Sequence, residues 1–395
     1  MSYKTDFTKI DLNVYEYDKE AAEAAVRYIE QNIRHVAGPL SGELIKLEKW
    51  QKDEIIKPLF GWKHVSTGFR KYTSAYIEIP KKNGKTLLSA AIAALFLDPI
   101  TIKGEAPMYS VAGNRDQARL AFKATKGIIE QSKRLSEKAE IYQNSIRVGQ
   151  RYFQAMSRES RTHQGVNPVL VIADEVHIHK DTDLIENMRK SMIARDQKLL
   201  FMITTAGFDL NGPGYQYHTH AKETAEGNRT DEHQLVCIYC ADKEDDIFDE
   251  KTWKKANPNY GVSVKPEGLK DEIARAEHSE GSRNSFRRYH LNIWTDAKDS
   301  WIDKEVWDAS GEDIKDLSFL EGQPCYGGMD LASNSDITAF SLIFPRPEGK
   351  YISLTWMWLP EDKGFRSADY QNENYPHWVS QGLIEETPGN VTDYD

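Results

Sequence analysis

Gly84, Lys85 and Thr86 form the closing half of a phosphate-binding loop, G-x-x-x-x-G-K-[ST], although Ile79 stands where that pattern opens with glycine. In such a loop the backbone N–H groups cradle the phosphates, the lysine reaches the β- and γ-phosphates, and the hydroxyl binds Mg²⁺. Asn83 lies inside the cradle, directly before the glycine. A second half-signal comes 89 residues after Lys85, where PVLVIADE (168–175) closes an apolar run with two acids. Asp174 would complete the Mg²⁺ shell there, and Glu175 would polarise the water that attacks the γ-phosphate. Either half arises by chance in many chains. Their pairing within one alternating block points to a nucleoside triphosphatase.

Three further groups fit that chemistry without requiring it. Trp50-Gln51 could stack on and hydrogen-bond a base, or simply end an amphipathic helix. Arg158 and Arg161, in SRESRTHQG (157–165), could neutralise charge on a transferred phosphoryl group in their own subunit or a neighbour's, or could be ordinary surface arginines. FMITTAG (201–207) carries Thr204-Thr205, two hydroxyls suited to sensing the γ-phosphate, though threonine is at home in any strand. Cys237-x-x-Cys240 lacks a second Cys/His pair at zinc-finger distance, and His177 and His179 alternate rather than share a helix face. Both pairs are read as structural.

To work, a phosphate loop must sit between a strand and a helix whose free N–H groups face the anion. YTSAYIEI (72–79) is β-branched and aromatic like a strand, and TLLSAAIAALFL (86–97) is a run of helix formers. The alternation continues through MYSVAG (108–113), a helix from Arg115 to about Gln131, RYFQAM (151–156), PVLVIA (168–173), a helix near 182–194 and KLLFMITTA (198–206). This predicts an α/β domain with a mostly parallel, helix-covered sheet over 73–240, led into by a helical segment over 1–72 that supplies the base side. Residues 241–310, with acidic runs, N-P-N and scattered tryptophans, read as a connecting region, and 311–395 as a second strand-rich block.

In that block GGMDLASNSDITAF (327–340) puts Asp330 inside a strand and Asp336 just after its turn. A carboxylate in a central strand is costly unless a metal or donor compensates it, so both are candidate metal ligands, with a turn role left open.

Composition sets outer bounds. A chain of 395 residues with three cysteines can build its core without disulfides and suits a reducing compartment. The start is acidic with no apolar signal core, and the longest apolar stretch, 87–97, is too short to span a bilayer, so a soluble intracellular protein without a membrane partner is expected. The net charge of −10 argues against a nucleic-acid coat, yet residues 120–165 hold nine Lys/Arg against four Glu. Charge of one sign on one face survives inside an oppositely charged whole.

Taken in order, WQKDEIIKPLFGW (50–62), IPKKNGKT (79–86), SVAGNRDQARLAF (110–122), QGVNPVLVIADEVH (164–177), MITTAG (202–207), KKANPNYG (254–261), RRYHLNIW (287–294) and GGMDLASNSDITAF (327–340) resemble the large terminase subunit of tailed bacteriophages. The resemblance covers most of the chain. It implies a packaging ATPase with a P-loop NTPase fold followed by a partial RNase H-like nuclease domain. By resemblance, Gln51 lies near adenine, Lys85 and Thr86 meet the phosphates of ATP, Asp174 holds Mg²⁺, Glu175 is the catalytic base, Thr204-Thr205 couple hydrolysis to movement, and Asp330 is the first nuclease ligand for Mg²⁺ or Mn²⁺. This family tolerates a phosphate loop without its first glycine and often carries arginine where this chain has Lys81, so the finger role falls to Lys81, Arg158 or Arg161. Implied partners are double-stranded DNA, a small terminase subunit, the portal protein and further copies in a ring, in the host bacterial cytoplasm. The rival readings are a helicase-like ATPase and a non-catalytic, capsid-associated nucleotide-binding protein. Further nuclease ligands are expected beyond Asp395. On that expectation the chain hydrolyses ATP without cutting DNA alone, and its second block is an incomplete sheet of three strands with an unpaired edge.

Overall fold

The computed structural model describes residues 2–100, 104–113, 115–157, 165–277, 279–295, 304–311, 314, 316–332, 337–361 and 375–389. The chain divides into two compact units, Met1–Trp307 and Asp308–Asp395.

The first unit is built on a nine-stranded sheet. Its strands are β1 (Tyr3–Lys4), β4 (Ser74–Glu78), β5 (Ala106–Ala112), β6 (Ala139–Ile141), β7 (Ser145–Val148), β8 (Arg151–Ser157), β9 (Leu170–Asp174), β10 (Leu199–Thr204) and β11 (Gln234–Ile238), while β2 (Tyr15–Tyr17) and β3 (Trp62–His64) form a separate antiparallel ribbon. The order is β1-β11-β4-β10-β9-β5-β8-β7-β6, parallel from β11 through β8 and antiparallel at both ends. Strand β10 lies between the loop-bearing β4 and the acid-bearing β9, with Thr204 opposite Glu78 and Ile203 opposite Asp174. That insertion brings the two half-signals together at the carboxyl ends of neighbouring strands, where ligands bind in open α/β sheets.

Alternation along each strand separates the two faces. Ala75, Ile77, Leu170, Ile172, Phe201 and Ile203 join one apolar cluster, and Tyr76, Val171, Ala173, Leu200 and Met202 join another. Truncating such a side chain to alanine typically costs about 2–5 kcal/mol, which is why helices must cover both faces. The first cluster packs against α1 (Lys19–Asn32), α2 (Lys57–Gly61), α3 (Lys85–Leu97) and α4 (Arg115–Gln131), and the second against α5 (Asp183–Ser191) and α6 (Pro213–Glu226). Helix α3 is buried nearly all round, so its sequence is apolar without a polar stripe.

The stretch from 241 onward, expected as a connecting region, is in its described part a helical body with its own core. Helices α7 (Glu250–Ala256), α8 (Pro266–Ala276) and α9 (Glu280–Leu291) enclose Trp253, Leu269, Ile273, Phe286 and Leu291. Its acidic start is a surface feature: Lys255 bridges Asp242 at 2.7 Å and also holds Asp245.

The second unit has a four-stranded sheet of β12 (Tyr326–Asp330), β13 (Thr338–Pro345), β14 (Tyr351–Pro360) and β15 (Glu385–Thr387), in that order. The first three are antiparallel, and after a helix at Tyr375–Ser380 the fourth adds parallel to β14. The expectation of three strands is thus corrected to four. Phe340 stacks on its cross-strand partner Trp356 at 6.0 Å, and Leu359, Tyr375 and Ile384 make a small core. Among the described residues β12 pairs with β13 alone, and Asp330 at its end is exposed. Within the described sheet the carboxylate is therefore exposed rather than buried in a central strand. Asp336 lies outside the described residues.

Candidate active site

Residues 80–84 turn from β4 into α3 with Lys82 and Gly84 both in the left-handed region (φ 68° and 86°). Gly84 caps α3 without any side-chain cap, which leaves the first-turn N–H groups available to an anion. A methyl group on Gly84 would meet the Gln51 amide nitrogen at 3.4 Å, in a conformation that side chains rarely adopt. Gln51 begins a π-helical turn (Gln51–Ile56) and is itself buried, its amide oxygen accepting from the Glu48 N–H at 2.9 Å. Its free end therefore faces the phosphate loop.

Asn83, expected to touch the nucleotide, directs its amide into the protein. It donates to Asn257 Oδ1 at 2.8 Å and to the carbonyl oxygens of Pro80 and Lys81, and accepts from the Asn259 N–H at 3.0 Å. Asn259 also donates to the Asn83 carbonyl oxygen and accepts from the Trp50 indole at 2.7 Å. Ser263 donates to the Lys82 carbonyl oxygen at 2.6 Å, and the Lys81 N–H donates to the Tyr289 carbonyl oxygen at 2.8 Å. The Lys81 ammonium sits 3.2 Å from the centre of the Tyr289 ring. Residues 257–263 and Tyr289 thus brace the loop from outside its own sequence. The N-P-N tripeptide was the one local hint of this, since paired asparagines beside a proline suit fixed backbone hydrogen bonding.

The Lys85 side chain is buried. It donates to the carbonyl oxygens of Ile79 (3.1 Å) and Pro80 (3.4 Å) and to Thr205 Oγ1, which itself donates to the Ile79 carbonyl oxygen. Burial lowers the ammonium from its ordinary value, opposed by the nearby Glu175 and Asp174 carboxylates. Thr86 is exposed at the head of α3.

Asp174 ends β9 almost wholly buried, and its Oδ1 accepts from the Glu175 N–H at 3.0 Å. Burial, with the Glu175 charge beside it, pushes the Asp174 carboxyl up to about 7. Burial would raise Glu175 too, but His177 and the Lys85 ammonium outweigh it and hold that carboxyl below its usual value. Glu175 is in the left-handed region (φ 50°), a sparsely used conformation for a side chain of its size. Its Oε2 is buried without a hydrogen bond of good geometry, and His177 Nδ1 approaches it at 3.3 Å.

These donors suit a small hard cation. Asp174, the Thr86 hydroxyl and nucleotide phosphates would form an all-oxygen set, and a carboxylate raised by burial and by the Glu175 charge beside it gains from a divalent cation.

Beneath the loop, Glu78 at the end of β4 is fully buried and accepts from Tyr76 (2.6 Å), Asn292 (3.3 Å) and Trp294 (3.3 Å), with His218 at 2.9 Å. Burial alone would raise its pKa, but His218, Tyr76 and Trp294 reverse the shift. Asn292, left-handed at φ 57°, also accepts from the Ala206 N–H at 2.7 Å. Nothing in the local sequence singles out this cluster. Cys237 lies in β11 with its thiol 3.6 Å from Glu54, and burial pushes the His179 imidazole down to about 4. Arg158 and Arg161 lie outside the described residues.

The family model described as the ATPase domain of the terminase large subunit matches residues 49–223, and the one for its endonuclease domain matches 228–395. The chain belongs to the terminase large subunits. Among curated relatives, Protein YmfN of Escherichia coli K12 is 32% identical over 248 residues, 60% of this chain and 54% of that protein. The terminase large subunit of Enterobacteria phage HK97 is 25% identical over 380 residues, 94% of this chain and 72% of that protein. The chain thus spans about half the length of one relative and nearly three quarters of the other. The crystal structure of the HK97 large terminase matches with a TM-score of 0.60 at 23% identity, over 94% of this chain and 75% of that one. This terminase chain accordingly carries an ATPase domain and an endonuclease domain. Among the described residues no helix is long and apolar enough to cross a membrane.

Proposed function

We propose that this chain is the ATP-driven motor that moves double-stranded viral DNA into a capsid, with a metal-dependent endonuclease unit that cuts the DNA concatemer. The observation that carries the motor reading is the convergence of Lys85, Thr205, Asp174 and Glu175 at the carboxyl ends of β4, β10 and β9. Nucleotide phosphates would take over the contacts that Lys85 now makes with carbonyl oxygens and Thr205, at the open N-terminus of α3. Asp174 and Thr86 would hold Mg²⁺, which supplies charge neutralisation of the β- and γ-phosphate oxygens when bound. Glu175, held ionised, orients and deprotonates the attacking water. Gln51 faces the adenine side of the loop, and Lys81, released from Tyr289, or one of Arg158 and Arg161 neutralises the transferred phosphoryl group. Thr204 and Thr205 couple the occupancy of the site to β10.

The partners that follow are a small terminase subunit, a portal protein and further copies arranged as a ring, in the cytoplasm of a bacterial host. Asp330 and Asp336 would contribute to the nuclease metal site, for Mg²⁺ or Mn²⁺, and additional carboxylates are needed to hold two ions.

The test is Mg²⁺-dependent ATP turnover by the purified chain with and without double-stranded DNA, beside a salt series of DNA binding. Turnover stimulated by DNA is expected, with log affinity falling by about 0.9 per phosphate contact for each tenfold rise in salt. Absent turnover, or DNA affinity indifferent to salt, would overturn the motor reading.

A further inference from the structure

The His177 side chain touches both the Glu175 carboxylate and the end of β10. It follows β9 in a short 3-10 turn (Val176–Ile178) that begins at the left-handed Glu175. Its backbone N–H donates to Thr204 Oγ1 at 3.1 Å, and its Nδ1 lies 2.9 Å from that same oxygen. Thr204 has a single hydroxyl hydrogen, and it is given to the Thr205 carbonyl oxygen at 3.1 Å. With that hydrogen so placed, Thr204 Oγ1 accepts from His177, the arrangement of the imidazole tautomer protonated at Nδ1. That proton also faces Glu175 Oε2 at 3.3 Å. Nδ1 thus stands between a strand-end hydroxyl and a buried carboxylate oxygen that has no hydrogen-bond partner of good geometry among the described residues.

The placement is held tightly. A methyl group on Gly214 would come within 2.6 Å of the His177 Cα, and one on Gly207 within 3.2 Å of its Cβ. Gly214 has to be glycine for the backbone of His177 to lie where it does, whereas at Gly207 the tightest meeting would be with the Trp294 ring at 2.7 Å. On the far side of Thr204, Thr205 Oγ1 accepts from Lys85. A continuous chain of contacts therefore runs from Lys85 through Thr205, Thr204 and His177 to Glu175.

We propose that His177 is a positioning residue for ATP hydrolysis: its Nδ1–H aims the Glu175 carboxylate and ties that aim to Thr204, so that the position of β10 sets whether Glu175 can address the attacking water. The inference rests on Glu175 being the base. Nucleotide binding draws Lys85 off Thr205, the Thr204-Thr205 end of β10 relaxes, and His177 carries the change to the carboxylate.

The experiment compares three substitutions at His177 by steady-state ATP turnover and by binding of a fluorescent ATP analogue. Asparagine places an amide N–H near the position of Nδ1, glutamine places one nearer Nε2, and leucine fills the space without a donor. His177→Leu and His177→Gln are expected to lower kcat by roughly 10–100-fold with analogue affinity within about twofold, and His177→Asn to recover to within about fivefold of the parent. A space-filling role would rank leucine above asparagine. Thr204→Val combined with His177→Leu should be no worse than the poorer single variant, since both remove one contact chain. If leucine matches or exceeds asparagine, or asparagine and glutamine turn over equally, His177 does not position Glu175. Should the leucine protein fail to fold, the asparagine–glutamine comparison alone decides. Glu175→Gln run in parallel separates the two readings, because wild-type turnover there removes the base itself rather than the role of His177.

Discussion

The loop around Asn83 and the strand around Asp330 are both short, glycine-bearing stretches with a polar residue beside small ones, and the fold treats them in opposite ways. Asn83 is wholly buried and bonded to Asn257, Asn259 and its own loop, whereas Asp330 is exposed at the end of β12. A buried polar group must be satisfied or it costs stability, so the first stretch is held in one geometry before any ligand arrives. An exposed carboxylate carries no such demand. Preorganisation in these two stretches therefore follows burial, and it is greater at the Asn83 loop than at the Asp330 strand.

The largest effect should come from the group with most to do in the transition state. Glu175→Ala is expected to lower ATP turnover by roughly 10³-fold or more while leaving nucleotide bound, since the phosphate cradle is untouched. Wild-type turnover in that variant would take Glu175 out of the mechanism. Lys85→Ala acts on ground-state and transition-state phosphates alike, so ATP affinity should fall by about 10²-fold, or ~3 kcal/mol. An unchanged dissociation constant by calorimetry would return N-G-K-T to being a turn.

Protonation gives the next step down. Asp174 is pushed up to about 7, and Mg²⁺ binds the carboxylate and not the acid. Below pH 7 each unit of acidification must therefore cost up to about tenfold in Mg²⁺ affinity, with a plateau above it. A flat profile between pH 6 and 8 would mean that the aspartate is already ionised in the free protein.

The contrast between the two stretches is tested most directly by removing each polar group. Asn83→Ala strands the Asn257 and Asn259 partners and should destabilise the first unit by about 1–3 kcal/mol, read as a lower melting temperature. Asp330→Ala should change stability by less than about 0.5 kcal/mol and leave ATP turnover alone, while removing any metal-dependent cleavage of plasmid DNA. Equal destabilisation by the two substitutions would erase the distinction drawn from burial.

Much of the candidate nucleotide site was legible in the chain because its signals are local. Strand, loop and helix around Lys85 follow one another within a few residues, and an apolar strand ending in Asp174-Glu175 declares its buried run and polar end together. Less visible was the use of 241–295. Acidic runs and N-P-N looked like a connector, yet Asn257, Asn259, Ser263 and Tyr289 hold the phosphate loop and Asn292 holds Ala206. His177 was read as structural for want of a helical partner; it bonds Thr204, 27 residues along the chain at the end of β10, a meeting no local pattern shows.

Sequence alone determined which elements form and which residues stand at their ends, because β-branched alternation, helix formers and glycine punctuation act over a few residues at a time. Tertiary structure decided what those ends meet. Strand β10 enters between β4 and β9 through pairings between residues more than a hundred positions apart on one side and about thirty on the other, and only that order places Thr204 and Thr205 between Lys85 and Glu175. Asn83 and Asn257, 174 residues apart, meet for the same reason. Side chains choose partners across a sheet by its strand order and register, and no local periodicity encodes either.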